Sequence, residues 1–130
     1  MKTDIILAPL QNAAISGIKY LYNNLSEQED ILSVWLSKID NSWIKIYFEA
    51  GHCMIKDFQF DESSSDDESI SYVDYSHWVL GTNIMSSNIE CTVGQEVSLK
   101  IILSNNKMIV FKNRHGGNCT IKFLKVQNSI

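Results

Sequence analysis

"SEQEDILSVWLSKI", Ser26 to Ile39, is the stretch on which the fold turns. Ser26 and Glu29 have the spacing of a capping box, in which a serine hydroxyl and a glutamate carboxylate each accept an otherwise unpaired amide at a helix start. Glu27, Glu29 and Asp30 put negative charge where the positive end of a helix dipole would lie. Ile31, Trp35 and Ile39 then recur every fourth residue, with Leu32 and Leu36 beside them, as one apolar stripe over about three turns. Lys38 falls in the last turn, where a cation is favourable. The spacing predicts a helix over 27–39.

Upstream, "LQNAAISGIKYLYN", residues 10–23, supports two readings. Pro9 suits the first position of a helix, and Ala14, Ile18 and Leu21 could line one face of it. Ile18, Tyr20 and Tyr22 also alternate as a strand would, and Gly17 costs a helix roughly 1 kcal/mol relative to alanine. A helix is the working expectation here.

Downstream the period changes to two. In "WIKIYFE" from Trp43, the set Ile44, Ile46 and Phe48 alternates with Trp43, Lys45 and Tyr47. Ala50-Gly51 breaks the run, and "CMIKDFQF" from Cys53 reads as a second strand. "SYVDYSHWVL", residues 71–80, is a third, rich in aromatic and β-branched residues.

The last third reads as a three-stranded meander. Asn105-Asn106 is taken as a two-residue turn, since asparagine tolerates the positive φ required. Leu103 then faces Met108, and Ile101 faces Val110. With Arg114 to Gly117 as a four-residue loop, Val110 faces Ile121 and Met108 faces Phe123. The core face then collects Leu99, Ile101, Leu103, Met108, Val110, Ile121 and Phe123. A one-residue slip would turn such a set outward. The expected fold class is α+β: an antiparallel sheet of about six strands, ending in this meander, with one or two N-terminal helices packed on it.

At 130 residues, 45% of them apolar, residues 1–130 are expected to form a single globular domain. No apolar run approaches the roughly 18–20 residues of a membrane span. The N-terminus lacks the long apolar region of a signal peptide. Cys53, Cys91 and Cys119 are odd in number and widely spaced, as free thiols in a reducing compartment would be. A cytoplasmic location is expected.

Charge is segregated along the chain. Residues 1–56 carry five lysines and six acids; residues 57–96 carry nine acids and no lysine or arginine; residues 97–130 carry six basic residues and no acid. The centre of the acidic block is "FDESSSDDES", Phe60 to Ser69. In one reading the block is a solvated loop neutralised by the basic meander. In the other it is a docking surface, because clustered carboxylates steer a basic partner and raise its rate of association. The residues assigned to that surface are Asp61, Glu62, Asp66, Asp67, Glu68 and Asp74, with Tyr75 and Trp78 as the aromatic types that anchor interfaces. The overall acidity and the lack of a recognition signature argue against nucleic acid.

No catalytic or metal constellation emerges. His52-Cys53 and His115 with Cys119 lack the spaced pairs of a zinc site, and His52 and Cys53 on a strand would point to opposite faces. The acidic run lacks the order of a calcium loop. No catalytic residue, metal or cofactor is assigned. The passage of a helix into "NSWIKIYFEAG", residues 41–51, then an acidic mid-chain loop and a β-meander end, resembles bacterial immunity proteins of contact-dependent-inhibition and polymorphic-toxin systems. The resemblance implies a small cytoplasmic inhibitor of one cognate toxin domain, often a basic nuclease, with no catalytic residues of its own. The alternatives are a small-ligand or carbohydrate-binding β module stacking its ligand on Trp43, Tyr75 and Trp78, or an enzyme with a site the sequence does not reveal.

Overall fold

Strand pairing organises the described residues. A computed structural model describes residues 14–49, 52–58, 70–92, 96–114 and 118–125. They form β1 (Ala14–Asn23), β2 (Ile31–Lys38), β3 (Trp43–Glu49), β4 (His52–Phe58), β5 (Ile70–Asp74), β6 (Thr82–Thr92), β7 (Glu96–Leu103), β8 (Lys107–Arg114) and β9 (Cys119–Lys125), with one short helix, α1 (Ser76–Val79), among the described residues. The nine strands make one antiparallel sheet in the order β4-β3-β2-β1-β6-β7-β8-β9, with β5 paired to β1. This corrects the expected α+β layout. The stretch read as a helix over 27–39 contains β2, and 10–23 holds β1 rather than a helix.

The physical reason lies in β2. Ile31, Val34, Trp35 and Leu36 are all buried, and so are Ser33 and Ser37. A strand covered on both faces loses its alternation, and its apolar residues then fit a helical period by accident. The β-branched Ile31 and Val34 and the ring of Trp35 favour the pleated form. The would-be capping carboxylates do other work. β9 ends the sheet order, so its outward amides have no neighbouring strand to bond to. Glu29 Oε1 accepts the Ile121 N–H at 2.9 Å and Asp30 Oδ1 accepts the Cys119 N–H at 3.2 Å, while Asn118 Nδ2 donates to Ser26 Oγ. The acids blunt a sheet edge instead of charging a helix dipole.

β1 is the seam between two wings. One edge of β1 pairs with β2 along its length. Its other edge is shared: Ala14 and Ile15 pair with Asn83 and Thr82 of β6, and Lys19 to Asn23 pair with β5. The first wing is therefore β4-β3-β2-β1-β5 and the second β6-β7-β8-β9. The wings pack face to face. Phe48 of β3 meets Phe111 of β8 with ring centroids 4.7 Å apart, and Tyr20 of β1 meets Phe123 of β9 at 6.1 Å. Ile18, Leu36, Ile44 and Ile46 from one wing and Leu99, Ile101, Ile109 and Ile121 from the other fill the space between. Each fully buried aliphatic chain there contributes about 1.5–3 kcal/mol.

The C-terminal meander is present as β7-β8-β9, shifted by one residue from the expected register. Leu103 faces Lys107, Ile101 faces Ile109, and Leu99 faces Phe111. Phe111 faces Ile121 and Ile109 faces Phe123. The turn uses Ser104, Asn105 and Asn106, three residues rather than two, with both asparagines at positive φ. "MIVF" is apolar at every position, so alternation could not choose between Met108/Val110 and Ile109/Phe111. Burying Ile109 and Phe111, each 1% exposed, puts the large ring in the core. The breaks expected at Ala50-Gly51 and at 115–117 lie outside the described residues.

Two glycines serve geometry. Gly81, at φ 81°, turns the chain from α1 into β6 in a conformation side chains disfavour. Gly17 has no special φ but no room either: a Cβ there would lie 2.7 Å from Ser76 Oγ and 2.9 Å from Ser37 Oγ.

Candidate functional site

β5 and α1 deliver the described part of the expected binding surface to the seam. Asp74 ends β5 opposite Lys19 of β1. Its carboxylate accepts the Ser76 N–H at 2.9 Å and the Ser76 hydroxyl as well. Those two bonds, the hydroxyl first, hold the Asp74 carboxyl below the usual carboxylate range, and Lys19 and His77 add to the effect. Ser76 Oγ in turn accepts the Ile18 N–H at 3.1 Å, and the Tyr75 N–H donates to the Ile18 carbonyl. Asp74 is therefore an exposed, ionised group pinned to the seam.

Tyr75 and Trp78 are half-buried around Phe123. Tyr75 stacks on it with centroids 4.4 Å apart, and Trp78 meets it edge-on at 5.2 Å. Lys107 lies over the Trp78 ring, and its Nζ donates to the Trp78 carbonyl at 2.7 Å. Trp43 is elsewhere, on the outer face of β3 beneath Lys19. The structure does not gather Trp43, Tyr75 and Trp78 into one platform. Of the eight residues assigned from the sequence, Tyr75 and Trp78 come together around Phe123, Asp74 is held by Ser76 at the end of β5, and Asp61, Glu62, Asp66, Asp67 and Glu68 lie outside the described residues.

The later acids meet the basic meander, in part as the neutralising reading expects. Glu90 of β6 lies 3.2 Å from Lys100 of β7, and Glu96 of β7 lies 3.6 Å from Lys112 of β8. Lys100, Val110 and Lys122 sit in one cross-strand row on the outer face of the second wing. A cleft of about 440 Å³ opens there, lined by Lys112, Arg114 and Lys122 together with Glu29 and Glu96.

One surface was missed by sequence reasoning. Pairing across the first wing brings Lys19 beside Trp35, Trp35 beside Lys45, and Lys45 beside Lys56. Lys19 lies over Trp43 at 5.7 Å, Lys45 over Trp35 at 5.7 Å and over Tyr47 at 5.0 Å, and Lys56 over Tyr47 at 5.7 Å. Trp35 also packs on Tyr72 of β5 at 5.7 Å. Trp43, Lys45 and Tyr47 were visible as the outward set of β3. Joining them to Lys19, Trp35 and Tyr72 needed the order of the strands.

Two of the three thiols, Cys53 and Cys119, are held in the neutral form. Burial, with Cys91 nearby, pushes the Cys53 thiol up to about 12, and burial also raises Cys119 despite a hydrogen bond from Asn113. His52 is exposed on one face of β4 while Cys53 packs against the core on the other. Among the described residues no group of three or more histidine, cysteine or acidic side chains could hold a metal ion, and no helix is long and apolar enough to cross a membrane. No family model matches the chain, and neither does a curated protein or a solved structure.

Proposed function

We propose that this protein is an immunity-type inhibitor that binds and neutralises a cognate toxin domain, a basic nuclease, in the cytoplasm. The observation that carries the reading is the charge layout: nine acids and no lysine or arginine over residues 57–96. The surface assigned to the partner is Asp61, Glu62, Asp66, Asp67, Glu68 and Asp74, with Tyr75 and Trp78 beside it. Asp74 supports it as an exposed carboxylate kept ionised by Ser76. Carboxylates grouped in this way act mainly on the rate and selectivity of encounter. Half-buried aromatic edges supply area once the partner has docked.

The test is co-expression with the toxin domain encoded by the adjacent gene. A stable complex and restored growth of the toxin-expressing host are the expected outcome. Loss of viability with no complex in either order of mixing overturns the reading.

A further inference from the structure

Neutralisation on the second wing is incomplete. Lys100 is matched by Glu90 and Lys112 by Glu96. Among the described residues, the side chains of Arg114 and Lys122 have no ion pair, hydrogen bond or ring contact. Both are exposed, and both line the cleft on the outer face. Strand pairing sets them around one residue. Thr120 of β9 lies directly across from Lys112 of β8. Arg114 is two residues further along β8, on the diagonal, and Lys122 is two residues along β9. Such neighbours stand about 7–8 Å apart, within reach of long side chains folded back over the sheet.

The cleft has a floor and a wall. Val110, 9% exposed, forms a small apolar floor between the longer side chains. The wall is the connection between β1 and β2, whose Gln28 and Glu29 join the lining. Three hydrogen bonds fasten that connection to the edge of β9: the Ile121 N–H to Glu29, the Cys119 N–H to Asp30, and Asn118 to Ser26. The wall is therefore held to the sheet. Two acids are in the lining, and both are engaged, Glu29 by the Ile121 amide and Glu96 by Lys112. Three cations against these two acids leave the cleft positive. Its uncommitted groups are the Arg114 guanidinium, the Lys122 ammonium, the Thr120 hydroxyl and the Gln28 amide.

We propose that this cleft binds a phosphate monoester group, carried by a small metabolite or by a lipid headgroup. A guanidinium meets two phosphate oxygens at once, and an ammonium group adds a point charge beside it. A phosphate monoester carries close to two negative charges at neutral pH, which matches the two cations left over. The Thr120 hydroxyl and the Gln28 amide donate to the remaining oxygens. Pockets for small ligands run from about 300 to 1,000 Å³. At about 440 Å³ the cleft has room for a phosphate with a body of a few carbons. The inference stands apart from the toxin reading, which uses the acidic segment and not this face.

The probe is glycerol phosphate, titrated into the intact protein at constant ionic strength and followed by amide NMR. Saturable shifts are expected at Val110, Lys112, Arg114, Thr120 and Lys122, with glycerol itself inert. Arg114→Gln and Lys122→Gln should each weaken binding by about tenfold or more. Lys100→Gln, on the same face but paired with Glu90, should leave it unchanged. The same spectra show whether each variant is folded. Vesicles containing phosphatidic acid, compared with phosphatidylcholine alone, identify the source. Capture that is lost in both cleft variants assigns a lipid headgroup, and binding of glycerol phosphate without capture assigns a soluble phosphate. Neither binding nor capture, shifts that do not saturate, an equal loss in Lys100→Gln, or full affinity in the two cleft variants would each overturn the proposal. Because no toxin is present, failure here leaves the proposed function untouched, and failure of toxin binding leaves this result standing.

Discussion

On the second wing, acids and bases sit on neighbouring strands: Glu90 is 3.2 Å from Lys100 and Glu96 is 3.6 Å from Lys112. On the first wing, Lys19, Lys45 and Lys56 lie over rings, and Lys19 stands opposite Asp74. Both wings are antiparallel, and both give one face to the shared core. The difference teaches that hairpin pairing in the second wing sets acids beside bases, while pairing in the first wing sets lysines beside aromatic rings.

The largest effect should come from breaking what the wings share. Phe111→Ala removes a ring that is 1% exposed and faces Phe48 across the core. A loss of about 3–5 kcal/mol is expected from chemical denaturation, with both wings melting together. Two separate transitions would show that the wings fold independently. Gly17→Ala touches the first wing and its seam. The added methyl group would press on Ser76 Oγ and Ser37 Oγ, and about 1–3 kcal/mol should be lost. Restoring space with a second change, Ser76→Gly, should recover part of it. Glu29→Ala touches only the edge of the second wing. It withdraws the acceptor from the Ile121 N–H, and a loss of about 1 kcal/mol is expected, with faster amide exchange at Ile121 as the local readout.

The smallest effect is a pH dependence at the seam. The Asp74 carboxyl is lowered in the folded protein, so its contribution is complete above the ordinary carboxylate range and is lost as pH falls through the lowered native value. Wild type and Asp74→Asn should differ in Tm near neutral pH and converge under acid conditions. Curves that stay parallel into acid would show that the ionised carboxylate is not what fastens Ser76.

The sequence exposed some of this and concealed the rest for identifiable reasons. "WIKIYFE" was legible because one face is buried and the other is not, and β3 spans Trp43 to Glu49 as read. β2 was not, because both of its faces are covered and its periodicity is lost. β6 escaped notice because a register shift between Ile84 and Ser86 interrupts the alternation of an already polar run. The meander was legible but its register was not, since four apolar residues in a row, Met108 to Phe111, satisfy either choice. The acid block could be counted directly. The lysine–aromatic face could not, because Lys19, Trp35, Lys45 and Lys56 come from four strands and only their pairing order makes them neighbours.

The most direct test of the functional reading is the association rate between the toxin domain and a variant carrying Asp66→Lys and Asp67→Lys. The rate should fall by about tenfold or more at low ionic strength, and the gap from wild type should narrow as salt is added. Equal rates at every salt concentration, with protection of the host unchanged, would contradict the assignment of the acidic segment as the surface that meets the partner.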